Sequence, residues 1–224
     1  MIEIQAVSHS CAEREILRNI NLRLFEPRIG IIGSNGSGKS TFVRLLNGLL
    51  IPDRGDVWID GLNTRQQTKA VRRKVGFVFQ NPDHQIVLPI VEEDLAFGLK
   101  PLKLSKAETA DRVDQILHHY HLEHLRHQPT YSLSGGEKQL LAIASVVITH
   151  PQYIIFDEPT TLLDLRNRNL IQRVLLGLTQ TIIVVSHDLD LLNEFDRILV
   201  FEAGEIILDQ PPAVALPYYV QLMS

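Results

Sequence analysis

The chain has 224 residues, is 45% hydrophobic and carries a formal net charge of -4. That length favours one domain with room for a substantial core, and the mild acidity gives no sign of a nucleic-acid surface. The single cysteine, Cys11, excludes a disulfide framework and fits a reducing compartment.

The longest apolar runs, such as Leu140–Ile148, fall far short of the about 20 residues needed to span a bilayer. Met1-Ile2-Glu3-Ile4 opens directly in alternation, without a basic patch and apolar run, so no signal peptide is read. Any membrane role is expected to come through partners.

Short apolar runs alternate with helical patterns, which predicts an α/β fold with a largely parallel sheet. Candidate strands are Ile2–Val7, Asn21–Phe25, Ile29–Ile32, Val57–Ile59, Val75–Phe79, Tyr153–Phe156, Thr181–Val185 and Ile198–Phe201. A first helix is expected over Thr41–Leu49. Between Gln80 and His150 the texture becomes helical, with Glu92–Leu99, Ser105–Tyr120 and Glu137–Thr149 separated at Lys100-Pro101 and Gln128-Pro129. The expected organisation is a single domain over 1–224. Its core lobe is built from 1–80 and 151–224, and residues 81–150 form an inserted helical lobe.

Gly33-Ser34-Asn35-Gly36-Ser37-Gly38-Lys39-Ser40 fits G-x-x-x-x-G-K-[ST], between an apolar strand and a helical pattern that begins at Thr41. Glycines let backbone N–H groups turn toward phosphate oxygens, and a helix N-terminus adds partial positive charge. Gly33 to Thr41 are thus candidate contacts to a nucleoside triphosphate, with Lys39 reaching the β- and γ-phosphates and Ser40 a ligand of Mg²⁺. Alone, the motif is shared by kinases, GTPases and motor proteins. Tyr153-Ile154-Ile155-Phe156-Asp157-Glu158-Pro159 is an apolar strand ending in two carboxylates. In the presence of the phosphate loop, Asp157 is a candidate Mg²⁺ ligand and Glu158 a candidate for polarising the attacking water. In its absence, an acidic turn before a proline would be the simpler reading.

Leu133-Ser134-Gly135-Gly136-Glu137-Lys138-Gln139 precedes that strand and opens a helix. It resembles the signature of ATP-binding-cassette ATPases, with Glu137 where Gln is commonest. The resemblance implies a P-loop NTPase core with a mixed or parallel sheet, N-terminal antiparallel strands and an inserted α-helical subdomain. It implies ATP and Mg²⁺ as ligands. It also implies a head-to-tail dimer in which Ser134 and Gly136 close on the γ-phosphate held by the other subunit. By the same resemblance, Gln80 senses Mg²⁺ and water, Asp164 signals across the dimer and His187 contacts the γ-phosphate. The stretch Thr161-Leu162-Leu163-Asp164 carries a bulkier residue where the family has a small one. Cys11 stands where the family places an aromatic residue against adenine; His9 is the nearby alternative.

The segment from Phe79-Gln80-Asn81-Pro82-Asp83-His84-Gln85 to Val91-Glu92-Glu93-Asp94-Leu95-Ala96-Phe97-Gly98 resembles the ATPases of energy-coupling-factor importers. That resemblance implies peripheral attachment to the cytoplasmic face of the membrane through an integral-membrane coupling subunit and a substrate-binding membrane subunit. The short C-terminal part resembles the biotin-transporting members; cobalt or nickel import and a soluble non-transport ATPase are the alternatives. The stripe Val91, Leu95, Leu99 is divided between core packing and a partner interface. His118, His119, His121, His124 and His127 have spacings that can ligate metal, but no cysteine or paired carboxylate completes a site. A solvated or partner-facing surface is the expectation.

Overall fold

The computed structural model describes residues 1–12, 14–161 and 163–224. The chain opens with β1 (Ile2–Cys11), β2 (Arg14–Leu24), β3 (Arg28–Gly33), α1 (Lys39–Leu46), β4 (Arg54–Ile59), β5 (Leu62–Asn63), α2 (Thr68–Lys74) and β6 (Val75–Val78). Then follow α3 (Val91–Leu99), α4 (Lys106–His119) and α5 (Gly135–Val147), interspersed with short 3-10 turns. The sheet resumes with β7 (Tyr153–Asp157), α6 (Leu165–Gly177), β8 (Thr181–Val185), α7 (Leu189–Leu192), β9 (Arg197–Glu202), β10 (Glu205–Gln210) and α8 (Pro212–Met223).

The central sheet has six strands in the order β10-β9-β3-β8-β7-β6. Only the β9–β10 pair is antiparallel; the rest run parallel. A second, antiparallel sheet of four strands, β2-β1-β4-β5, covers one of its faces. β1 is bulged at Ala6, whose φ is +48°. There the freed Ala6 N–H donates to Asn21 Oδ1 at 2.8 Å. Gly55 on β4 runs so close that a Cβ would stand 2.2 Å from the Gln5 carbonyl oxygen.

Because side chains alternate along a strand, the central sheet feeds two cores. Ile29, Ile31, Ile155, Ile183, Val185, Leu199 and Phe201 pack toward α1 and the antiparallel sheet. Ile32, Ile154, Phe156, Ile182, Val184, Ile198 and Val200 pack toward the inserted helices, α6, α7 and α8. Each such side chain, fully buried, contributes about 1.5–3 kcal/mol of transfer free energy. α5 lies hard against β6: a Cβ on Gly76 would stand 2.2 Å from Val146 Cγ1.

Most expected elements are present, with shifted ends. β1 continues to Cys11, β2 starts at Arg14 rather than Asn21, and Phe25 lies outside it, 71% exposed. β6 stops at Val78 because the Phe79 N–H donates to Gln85 Oε1, at 3.2 Å, instead of to a neighbouring strand. The first helix starts at Lys39, two residues before the expected Thr41, and ends at Leu46, because Gly38 turns the chain directly into it. β5, β10, α2, α6, α7 and α8 are additional to the expected elements.

Candidate nucleotide site

β3, β6, β7 and β8 end at the same edge of the parallel sheet, the edge where ligands of open α/β sheets bind. β3 delivers the phosphate loop. Gly36 and Gly38 have φ of +79° and +102°. A side chain on Gly38 would also meet the Ile16 carbonyl oxygen at 2.9 Å, so only glycine suits the position. The loop is tied back by Ser34 Oγ donating to Glu202 Oε2 (3.2 Å) and Gly204 N–H donating to the Ser37 carbonyl (3.1 Å). Lys39 opens α1 with only 5% of its surface exposed. Its Nζ donates to the carbonyls of Gly33 and Ser34, both at 2.8 Å. Burial pulls its pKa below the ordinary lysine value, against the opposing pull of Glu158, Asp157 and Glu202.

Ser40 Oγ donates to Asp157 Oδ1 at 2.8 Å, while an Arg44 nitrogen lies 3.5 Å from Asp157 Oδ2. Burial holds the Asp157 carboxyl above its usual value, opposed by the Ser40 hydrogen bond and the Arg44 charge. The paired hydroxyl and carboxylate are hard oxygen donors of the kind Mg²⁺ takes with phosphate oxygens and water, so the residues present fit that ion.

Glu158 sits at φ +53°, a left-handed conformation costing a bulky residue about 1–3 kcal/mol and characteristic of functional sites. Its N–H donates to the Val185 carbonyl at 2.9 Å. Its carboxylate accepts from Gln80 Nε2 (3.2 Å) and Thr161 Oγ1 (2.9 Å), and His187 Nε2 lies 3.5 Å away. The ends of β6, β7 and β8 thus bring Gln80, Glu158 and His187 together. Sequence reasoning missed Arg44 and Thr161. Arg44 follows Ser40 by one helical turn, so their spacing alone puts both on one face.

Ser134 caps α5 in a reciprocal capping box. Its N–H and Oγ–H donate to Glu137 Oε2 at 2.7 and 2.6 Å, and Oγ accepts from the Glu137 N–H at 3.4 Å. These hydrogen bonds hold the Glu137 carboxyl below its usual value. Ser134 is exposed, and its side-chain hydrogen bonds among the described residues run to Glu137 and not to the phosphate loop. Asp164 caps α6, accepting from the Asn167 N–H at 2.8 Å. Leu162 of the same stretch lies outside the described residues. The segment after Gln80 is braced on α5. Gln85 Nε2 donates to the Ala142 carbonyl (2.6 Å) and Ser145 Oγ (3.0 Å), and Lys138 Nζ donates to Asp83 Oδ1 (2.7 Å).

Val91, Leu95 and Leu99 are at most 1% exposed. The whole stripe is core, which corrects the expected division with an interface; the exposed apolar residue of α3 is Phe97, at 39%. Cys11 is exposed, whereas His9 is largely buried with Nδ1 3.7 Å from Asp53. In the histidine-rich segment, His118 Nδ1 pairs with Glu123 Oε1 at 2.7 Å and His127 Nδ1 with Glu92 Oε1 at 2.9 Å. Among the described residues, no group of three or more His, Cys, Asp or Glu side chains is placed to hold a metal. A surface basin of about 960 Å³ lies beside Arg23, Phe25 and Arg197 and contains no phosphate-loop residue. It is a shallow depression remote from the chemistry.

The ABC transporter family profile matches residues 17–161. A putative ABC transporter ATP-binding protein of Deinococcus radiodurans is 62% identical, covering all of this chain and 99% of that protein. The biotin transport ATP-binding protein BioM of Rhizobium etli is 45% identical over all of this chain and 99% of its own length. The energy-coupling factor transporter ATP-binding protein EcfA of Syntrophomonas wolfei is 38% identical over all of this chain and 85% of its own. Among solved structures, the ATP-binding cassette MJ0796, a dimer in a post-hydrolysis state bound to ADP and Pi, superimposes with a TM-score of 0.84. It is 30% identical, over 95% of this chain and 99% of that one. The chain belongs to the ABC transporter family of ATP-binding subunits. It is an ATP-hydrolysing enzyme with the mixed α/β fold of those cassettes, and no described helix is long and apolar enough to cross a membrane.

Proposed function

We propose that this chain is the ATPase subunit of an energy-coupling-factor importer that takes up biotin. The reading rests chiefly on the end-to-end likeness to a protein named for biotin transport. The name of the EcfA relative supports the broader class. Two copies would pair head to tail at the cytoplasmic face of the membrane, held there by a coupling subunit and a substrate-binding membrane subunit.

In each composite site, Gly33 to Thr41 bind the triphosphate, with Lys39 neutralising its β- and γ-phosphates. Ser40, Asp157 and Gln80 would hold Mg²⁺, which would neutralise phosphate charge when bound. The partner copy supplies Ser134 and Gly136 at the helix N-terminus that faces the γ-phosphate. Water attacks the γ-phosphorus, the bond to the bridging oxygen breaks, and ADP leaves with that electron pair. Glu158 accepts the proton of the attacking water, and His187 and Gln80 orient the carboxylate and the γ-phosphate. What supports these roles is the convergence of Gln80, Thr161 and His187 on the Glu158 carboxylate. ATP contacts available only in the closed pair favour closure; phosphate loss removes them.

The test is purification of the chain with its membrane partners, reconstitution in vesicles and measurement of ATP-driven uptake. Biotin accumulation supports the reading. Uptake of cobalt or nickel instead would sink the vitamin assignment, and recovery without any membrane protein would sink the transport assignment.

A further inference from the structure

Asn167, in the first turn of α6, lies directly over Gly136. A Cβ built on Gly136 would stand 2.3 Å from both Cγ and Oδ1 of Asn167 and 2.8 Å from Nδ2. The carboxamide therefore fills the space that the missing side chain leaves. It is not free to swing away: Nδ2 donates to Asp164 Oδ2 at 3.2 Å and the Asn167 N–H donates to Asp164 Oδ1 at 2.8 Å. The next residue, Arg168, donates to Asp188 Oδ1 at 2.9 Å, and Gln172 donates to Asp188 Oδ2 at 2.7 Å. Asp188 adjoins His187, which faces Glu158. One turn of α6 thus touches the Asp164 segment, the signature turn and the segment after β8.

We propose that Asn167 is a positioning residue that couples the two ATP sites of the dimer. Asp164, three residues after Thr161, and the His187–Asp188 segment are linked to Glu158 of the chain's own site through Thr161 and His187, whereas Gly136 serves the site of the partner. A shift of the first pair moves the start of α6. Close packing leaves the carboxamide no slack against the bare Cα of Gly136, so the signature turn moves with it. The bare Cα of Gly136 is thus the seat of Asn167, the residue toward which a side chain at 136 would point. The inference rests on the reading that Ser134 and Gly136 close on the partner's nucleotide.

The experiment compares Asn167→Gly, Gly136→Ala and the double variant by phosphate release against ATP concentration, with ATP-analogue binding to the dilute single chain as a control. The wild type is expected to respond cooperatively. In Asn167→Gly the Hill coefficient should fall toward one and kcat by about fivefold or more, with analogue binding changed less than about twofold. Gly136→Ala should be nearly inactive, and the double variant should regain activity because the new methyl group has room. If Asn167→Gly does not fold, Asn167→Ser serves the same comparison. Wild-type turnover without cooperativity, or Asn167→Gly with an unchanged Hill coefficient, overturns the proposal. Gly136→Ala equally inactive in both backgrounds also overturns it, placing the harm at the phosphate and leaving the signature reading intact. Ser134→Ala with unchanged turnover and ATP-dependent dimerisation would instead defeat that underlying reading.

Discussion

Glu158 Oε1 and His187 Nε2 face each other 3.5 Å apart across the ends of neighbouring strands β7 and β8. The backbone makes the encounter possible, because the Glu158 N–H bonds to Val185, the last residue of β8. The left-handed turn at Glu158 redirects its side chain toward His187 and Gln80 instead of along the strand. Replacing Glu158 with Gln retains the shape and the hydrogen-bonding capacity but removes the base. Phosphate release should fall by about 10²–10⁴-fold while ATP binding persists and ATP-dependent dimers accumulate on gel filtration. Turnover within twofold of wild type would remove Glu158 from the mechanism.

Lys39→Ala should abolish hydrolysis by leaving the phosphates without their buried countercharge. Chelating Mg²⁺ should do the same in the wild type, and Ser40→Ala should raise the Mg²⁺ concentration needed for half-maximal rate. A phosphate-release titration in Mg²⁺ reads both effects; an Mg²⁺ requirement unmoved by Ser40→Ala would take the hydroxyl out of the ligand set.

Cys11 is exposed where the family resemblance implies an aromatic residue. Stacking of a base on an aromatic ring is worth about 1–3 kcal/mol, so Cys11→Tyr should tighten binding of ATP, and of GTP alike, by about tenfold. Equal gains for ATP and for the bare triphosphate would argue against contact with the base.

Asp94 is 5% exposed and accepts the N–H groups of Val87 and Leu88 at 2.7 and 2.9 Å. Asp94→Ala strands both donors, and at about 1–3 kcal/mol for each unsatisfied group the loss should total about 3 kcal/mol. Urea unfolding provides the measurement, and a change below about 0.5 kcal/mol would show that water reaches those groups.

Asp60 offers a test by pH. Burial raises its pKa, but hydrogen bonds from the Met1 amino group, Lys74 and Tyr153 outweigh that and bring it to about 2. A depressed carboxyl pKa means a stabilising contribution that is complete above the unfolded value of about 3.9. It is lost as pH falls through about 2. Wild type should therefore exceed Asp60→Asn in stability at pH 7, with a smaller gap at pH 3. A gap independent of pH would mean the carboxylate charge is not what Asn lacks.

The convergence of Ser40 with Asp157, and of Gln80 and His187 with Glu158, is legible in the sequence because these residues sit in short motifs at strand ends, where spacing reports geometry. Arg44, Thr161 and Asn167 escaped because their contacts are made through space by residues of ordinary type. The elements that are missed, or that start earlier than expected, lack a clean period. In β2, Asn19 at φ +44° breaks the alternation. α8 contains Pro217, which reads as a breaker although the helix runs through it. In α6 only Ile171 and Leu175 are fully buried, too few for a visible stripe.

The division of apolar side chains by the central sheet makes sequence neighbours mechanical strangers. Ile154 and Ile155 share a peptide bond, yet one props the inserted helices and the other the bulged hairpin side. Damage at an even-numbered residue of β7 should loosen the inserted helices. Damage one residue later should loosen the cradle beneath the phosphates. A single strand thereby carries two independent liabilities, sorted by parity alone.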